Sequence, residues 1–122
     1  MFRIDFLSGG FWQDHLATRL KHRQQLATIR NHLEGFAQTD CWIVGGDFNL
    51  VGNDGATNAL SGMQDCFYAA GSGWCNTGTN DYPIFRVDQI WTNANIACDH
   101  LSAHRTKNSD HRMVVADMAL DQ

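Results

Sequence analysis

The sequence predicts an α/β layered fold, and three observations carry that expectation. A short apolar run, Cys41-Trp42-Ile43-Val44, stops at Gly45-Gly46 and reads as a buried strand. Upstream, Leu26, Ile29, Leu33 and Phe36 recur at intervals of three, four and three residues, which places them on one face of a helix. Downstream, Met113 to Leu120 is almost continuously apolar, the pattern of an interior strand covered on both faces. Strands interleaved with helices imply a sheet with helices packed against it.

Taken in order, Phe2 to Leu7 reads as a first strand, stopped by Ser8-Gly9-Gly10. Phe11 to Leu16 suits an extended segment. The helix follows from about Ala17 to Phe36. Its stripe continues backwards through His22 and Arg19, so the inner side of its first turns is polar. Gly35 and Gln38-Thr39-Asp40 end it. After the central strand, Val51 to Gly55 is a loop by composition. A second helix is expected over Thr57 to Ala70, with Leu60, Met63 and Phe67 as its stripe and Gly71 as its cap. Ser72 to Pro83, rich in Gly, Asn, Thr and Ser, reads as a long surface loop, a kind of segment that tends to carry function. Phe85 to Thr92 and Ile96 to Arg105 read as strands, and the apolar run 113–120 closes the chain.

The 122 residues make one domain, 1–122, with no internal repeat and no boundary. No run of 18 apolar residues is present, and an acid interrupts the apolar N-terminus; the reading is a cytoplasmic chain without a membrane segment. A net charge of −4 repels nucleic acid as a whole-molecule field, though a bound divalent cation would invert that field locally. Cys41, Cys66, Cys75 and Cys98 form no zinc spacing. Cys41 and Cys98 read as small buried hydrophobes. Cys66 and Cys75 lie within reach of each other across a loop, but free thiols are the expectation for a cytosolic chain.

Polar residues gather at strand ends. Asp47 and Asn49 follow the Gly-Gly pair, and strand alternation points them one way while Phe48 points back into the protein. An acid and an amide so placed suit a water, a metal or a phosphate oxygen; the plainer alternative is an Asx-rich turn that only ends the strand. Asp88 sits in Arg86-Val87-Asp88-Gln89-Ile90, and an inward acid needs a partner, for which a histidine is the natural candidate. Asp110 and His111 precede the last strand. Singly, Asp88 suits a structural salt bridge and Ser109-Asp110-His111 a cap or turn.

Together, Gly46-Asp47-Phe48-Asn49, Arg86-Val87-Asp88-Gln89-Ile90 and Ser109-Asp110-His111-Arg112 resemble the endonuclease/exonuclease/phosphatase superfamily, the DNase I-like fold, in order and spacing. His15-Leu16 before a helix bearing Arg23 and Gln24 resembles the family's strand-end His-Leu and its following helix, though less specifically. The resemblance covers nearly the whole chain but only the C-terminal half of the family's domain. It implies half of an α/β sandwich: one mixed sheet with helices on one face.

The resemblance further implies hydrolysis of a phosphodiester or phosphomonoester with magnesium or manganese. Asp47 would position and deprotonate the attacking water with Asn49 orienting it. His111, held by Asp88, would stabilise charge on the phosphate, Asp110 would help hold the metal, and His15 would contact the phosphate or leaving group. Nucleic acid, inositol phosphates and phospholipid headgroups are all substrates of the superfamily. The family's N-terminal half supplies an Asn and a Glu for the metal, whereas the one glutamate here is Glu34, on the first helix. Asp5 is a conceivable stand-in without support in the sequence. The expectation is therefore weak or absent activity unless a partner completes the site, with a non-catalytic binding or interaction module as the alternative. A lone half would also expose an apolar sheet face, which predicts a homodimer.

Overall fold

The computed structural model describes residues 2–5, 15–49 and 55–120. Its elements are β1 (Phe2–Asp5), α1 (His15–Leu33), β2 (Ile43–Asp47), a 3₁₀ turn (Gly55–Leu60), β3 (Gln64–Asp65), α2 (Cys66–Ala70), β4 (Asp88–Thr92), β5 (Ile96–His104) and β6 (Met113–Leu120). The parts of the expected first strand, extended segment and loop that fall at 6–14 and 50–54 lie outside the described residues. His15 and Leu16, expected to be extended, open α1.

β1, β2, β4 and β3 form a four-stranded mixed sheet in that order, with β1 parallel to β2 and the other pairs antiparallel. β5 and β6 form a separate antiparallel ribbon, so the sheet is in two pieces. On one face of the larger sheet, Leu26 and Leu33 of α1 meet Val44, Phe48, Leu60 and Trp91 in the main core. The helical stripe thus does what its spacing predicts: His22 is buried on the inner side of α1, as expected. Phe36, beyond the helix end, is exposed instead.

A smaller core joins the two sheets. Cys66, Cys75 and Leu101 are buried there, with Ile90 of β4 and Val114, Ala116 and Met118 of β6 packed around them. Cys66 and Cys98 are joined as a disulfide with their Cα atoms 5.5 Å apart, which corrects the expectation of free thiols. The pairing follows from α2 lying against β5. Cys75 is a buried free thiol, and Cys41, expected inside, is exposed.

The continuous second helix over 57–70 is not formed. Asp65 interrupts it: its carboxylate caps α2 through the Phe67 amide (3.0 Å) and pairs with Arg86 at 2.6 and 3.2 Å, both residues being buried. A charge held by a partner distant in sequence overrides the local helical pattern, and the expected stripe divides between the cores. Leu60 and Met63 go to the main core and Phe67 to the smaller one. Gly71 does cap α2, with its amide on the Phe67 carbonyl.

β6 differs from a strand covered on both faces. Val114, Ala116 and Met118 face the smaller core, whereas Met113 and Val115 on the other face are 52% and 39% exposed. No helix among the described residues is long and apolar enough to cross a membrane.

Candidate functional site

Asp47 ends β2 and Asp88 begins β4, and the antiparallel register sets them directly opposite each other. Residues so paired project from the same face of a sheet, so the two carboxylates converge. That face is the one turned away from α1, because Val44 and Trp91, one residue out of phase with the nearest members of this pair's face, fill the main core. His111 arrives from the other sheet, two residues before β6, through a bridge to Gly78. The cluster therefore forms between two sheets and not at the end of one.

Asp88 Oδ2 lies 2.8 Å from His111 Nδ1, and Asp47 Oδ2 lies 3.9 Å from the same nitrogen. The three side chains are half-buried, with ligand-type atoms all within 4.8 Å of one another. Burial raises the Asp47 pKa above the ordinary carboxylate value; the Asn49 amide, donating to Oδ1 at 2.8 Å, works against the rise, and the neighbouring Asp88 charge adds to it. For His111, burial opposes the charged ring. The Asp88 hydrogen bond and the charges of Asp88, Asp47 and Asp110 outweigh it, so the imidazole pKa is raised. Three carboxylates around one imidazole favour its protonated form.

Asn49 sits two residues past the strand with a positive φ of 48°. Its backbone amide closes an Asx turn on Asp47 and so holds the carboxylate in place. Phe48 points back and is fully buried, as expected. Asp110 is exposed and close enough for its charge to be felt by Asp47 and His111, but it stands outside the three-residue cluster. His15 is the first residue of α1, and its side chain lies outside the described residues. Asp5 lies level with Asp47 in the β1–β2 register.

Two organising residues escaped the sequence. Thr77, in the segment read as a surface loop, is fully buried; its hydroxyl accepts the amides of Asp88 at 3.0 Å and Val87 at 3.3 Å. Its own carbonyl accepts the Arg112 amide at 2.9 Å, so one residue ties the start of β4 to the segment holding His111. Asn80 clamps the same segment from the other side, its side chain donating to the Thr106 carbonyl at 2.6 Å and accepting the Thr106 amide at 3.1 Å. A small hydroxyl and an amide in a polar stretch carry no periodicity, so no pattern marks them.

From this cluster a groove of about 890 Å³ runs between the two sheets, with Ile43, Gly45 and Ile90 on one wall and Val114, Ala116 and Met118 on the other. A largely apolar trench lined also by the Asp88 carboxylate and the His111 imidazole can hold a phosphate ester, or another polypeptide, with its polar end at that pair.

Solved structures share this arrangement of elements. An endonuclease/exonuclease/phosphatase from Bacteroides vulgatus superposes with a TM-score of 0.72 at 19% identity, over 84% of this chain and 45% of that one. A mannosyl-6-phosphatase from Bacteroides thetaiotaomicron gives 0.65 at 16% identity, over 86% and 47%. D. rerio TDP2, solved with a single-strand DNA product, gives 0.61 at 16% identity, over 96% and 55%. No family profile matches the sequence, and no curated protein matches it. The fold is that of part of the DNase I-like endonuclease/exonuclease/phosphatase proteins, and the chain spans about half the length of these three structures.

Proposed function

We propose that residues 1–122 form a single partial domain of a divalent-metal-dependent phosphoester hydrolase, weakly active or inactive alone and completed by a partner. The observation that carries this reading is the Asp88–His111 pair with Asp47 beside it, at the mouth of an apolar groove. Asp47, with its proton affinity raised, takes the proton of an attacking water that Asn49 orients. His111, whose protonated form Asp88 favours, donates a hydrogen bond to the phosphate and offsets charge on its oxygens. His15 contacts the phosphate or the leaving group. Oxygen donors suit magnesium or manganese. With the His111 Nδ1 already engaged by Asp88, the carboxylate of Asp110 is the one that would hold the ion, helped by Asp47. Such an ion supplies charge neutralisation on the phosphate when bound.

The substrate class is a phosphodiester or phosphomonoester, nucleic acid included, since the structural neighbours comprise a sugar phosphatase and a DNA-bound protein. The chain is proposed to act in the cytoplasm as a homodimer. The second reading, a non-catalytic interaction module, is favoured by the lack of a strand-borne glutamate: the one glutamate, Glu34, lies just past the end of α1, paired with Arg30. Turnover of a generic phosphodiester with magnesium or manganese tests the proposal. Trace activity that rises with the metal and disappears in His111→Ala supports it. No activity at any metal concentration favours the module, and robust turnover in the isolated chain overturns the incompleteness.

A further inference from the structure

Arg112 follows His111 and lines the groove together with Asp88 and His111. Other arginines of the described structure stand against carboxylates: Arg30 on Glu34, Arg86 on Asp65 and Arg105 on Asp81. Arg112 does not, although the charges of Asp47, Asp88 and Asp110 all reach the neighbouring imidazole. Among the described residues its half-buried side chain makes one hydrogen bond, Nε donating to the Asn80 carbonyl at 3.1 Å. Its backbone amide donates to the Thr77 carbonyl at 2.9 Å, and the Asn80 amide in turn donates to the Asp110 carbonyl. The guanidinium is therefore held at its Nε end by the same loop that holds the His111 segment. Both terminal nitrogens keep donors that no described residue accepts, so the end-on edge of the fork is open.

We propose that Arg112 is an anion-binding residue of this site and that the anion it selects is a phosphomonoester. The open edge takes two unesterified oxygens of the substrate phosphate, and His111 takes the third. The inference rests on the phosphoester reading above and narrows it. Two parallel N–H groups match the spacing of two phosphate oxygens, and such bidentate pairs are among the strong hydrogen bonds to anions. A monoester offers three unesterified oxygens, one for each of these donors. A diester has two, so one must be shared, and it carries less charge than a fully ionised monoester.

Charge argues in the same direction. The chain carries a net −4 and three carboxylates surround the imidazole, so an approaching phosphate meets repulsion. His111 offsets this only while it is protonated, whereas a guanidinium stays charged at any working pH. Bracing adds to the effect: with Nε already seated on Asn80, little side-chain freedom is left to lose when an anion arrives. A purely bracing role would use Nε and the backbone amide and leave the terminal edge without a task.

NMR titration of the metal-free chain with methyl phosphate and with dimethyl phosphate tests this. In the parent chain methyl phosphate is expected to shift the side-chain N–H signals of Arg112 together with the His111 ring, and to bind more tightly than dimethyl phosphate. Shifts at His111 with Arg112 unmoved overturn the proposal without any variant being made. Arg112→Gln is expected to weaken methyl phosphate on the order of tenfold and to narrow its advantage over dimethyl phosphate. Arg112→Lys keeps the charge but not the fork, so it should stay weaker than the parent; equal binding overturns the two-oxygen contact. Arg105→Gln removes a positive charge paired with Asp81 and outside the groove lining, and it should bind as the parent does. An equal loss there would mean that net charge alone is at work, which also overturns the proposal. Arg112-dependent binding in a chain without turnover supports this site and counts against the hydrolase reading alone. Turnover indifferent to Arg112→Gln overturns the inference and leaves that reading standing.

Discussion

His111 Nδ1 and Asp88 Oδ2 meet at 2.8 Å across the gap between two sheets, so the orientation of the imidazole depends on a carboxylate 23 residues away in sequence. This hydrogen bond, with the charges around it, outweighs the burial that disfavours a charged ring. Asp88→Asn keeps the shape and removes the charge. NMR titration of the ring should then give a lower pKa for His111 than in the parent chain. An unchanged value would remove Asp88 from its proposed role.

The same site sets a pH dependence of stability. The folded pKa of His111 lies above its ordinary value of 6.5, so its stabilising contribution is full below that value and is lost as pH rises through the folded pKa. Asp47 is also raised, from 3.8; its ionised form is disfavoured by folding, so it costs stability above that value and the cost is relieved on acidification. Both groups make the folded state bind more protons than the unfolded one. The urea midpoint should fall between about pH 5 and about pH 8, and the fall should be smaller in His111→Gln. A midpoint drop of equal size in the variant would show that other groups control it.

Asp65 and Arg86 are buried and doubly hydrogen-bonded, and Arg86 also lies 4.8 Å from the Phe67 ring centroid. Removing one partner leaves an uncompensated charge in the interior. Asp65→Ala should cost about 3–5 kcal/mol, partly through the lost cap on α2. In denaturant unfolding, the double replacement Asp65→Leu with Arg86→Met should be less damaging than Asp65→Ala alone. Equal or greater loss would mean that the pair is worth more than its desolvation.

How far the sequence could be read follows from where its interactions run. The α1 stripe, the burial of Phe48 and the convergence of Asp47, Asp88 and His111 rest on periodicity or on motif order, and both survive in one dimension. The failure at 57–70 has a different origin: Asp65 is held by Arg86, and nothing near Asp65 announces a buried guanidinium. The Cys66–Cys98 disulfide depends likewise on α2 docking against β5, a contact spanning 32 residues. β6 looked like a strand buried on both faces because valine, methionine and alanine say how apolar a strand is, not what covers it. Its exposed face is where the described residues stop supplying neighbours.

Thr77 joins packing to the site most directly. The hydroxyl is fully buried and accepts two amides, those of Val87 and Asp88, at the point where β4 begins. Thr77→Val is close to isosteric, so it creates no cavity, but it leaves both amides without that acceptor in the interior. Unsatisfied buried donors cost about 1–3 kcal/mol, so the urea midpoint should drop measurably. The consequence should extend beyond stability, because the Asp88 amide is one residue's backbone from the carboxylate that holds His111. The His111 pKa should move back towards its ordinary value in Thr77→Val and recover in Thr77→Ser, which restores the oxygen without the methyl group. Loss of stability with an unmoved His111 titration would confine Thr77 to packing and separate the scaffold from the site.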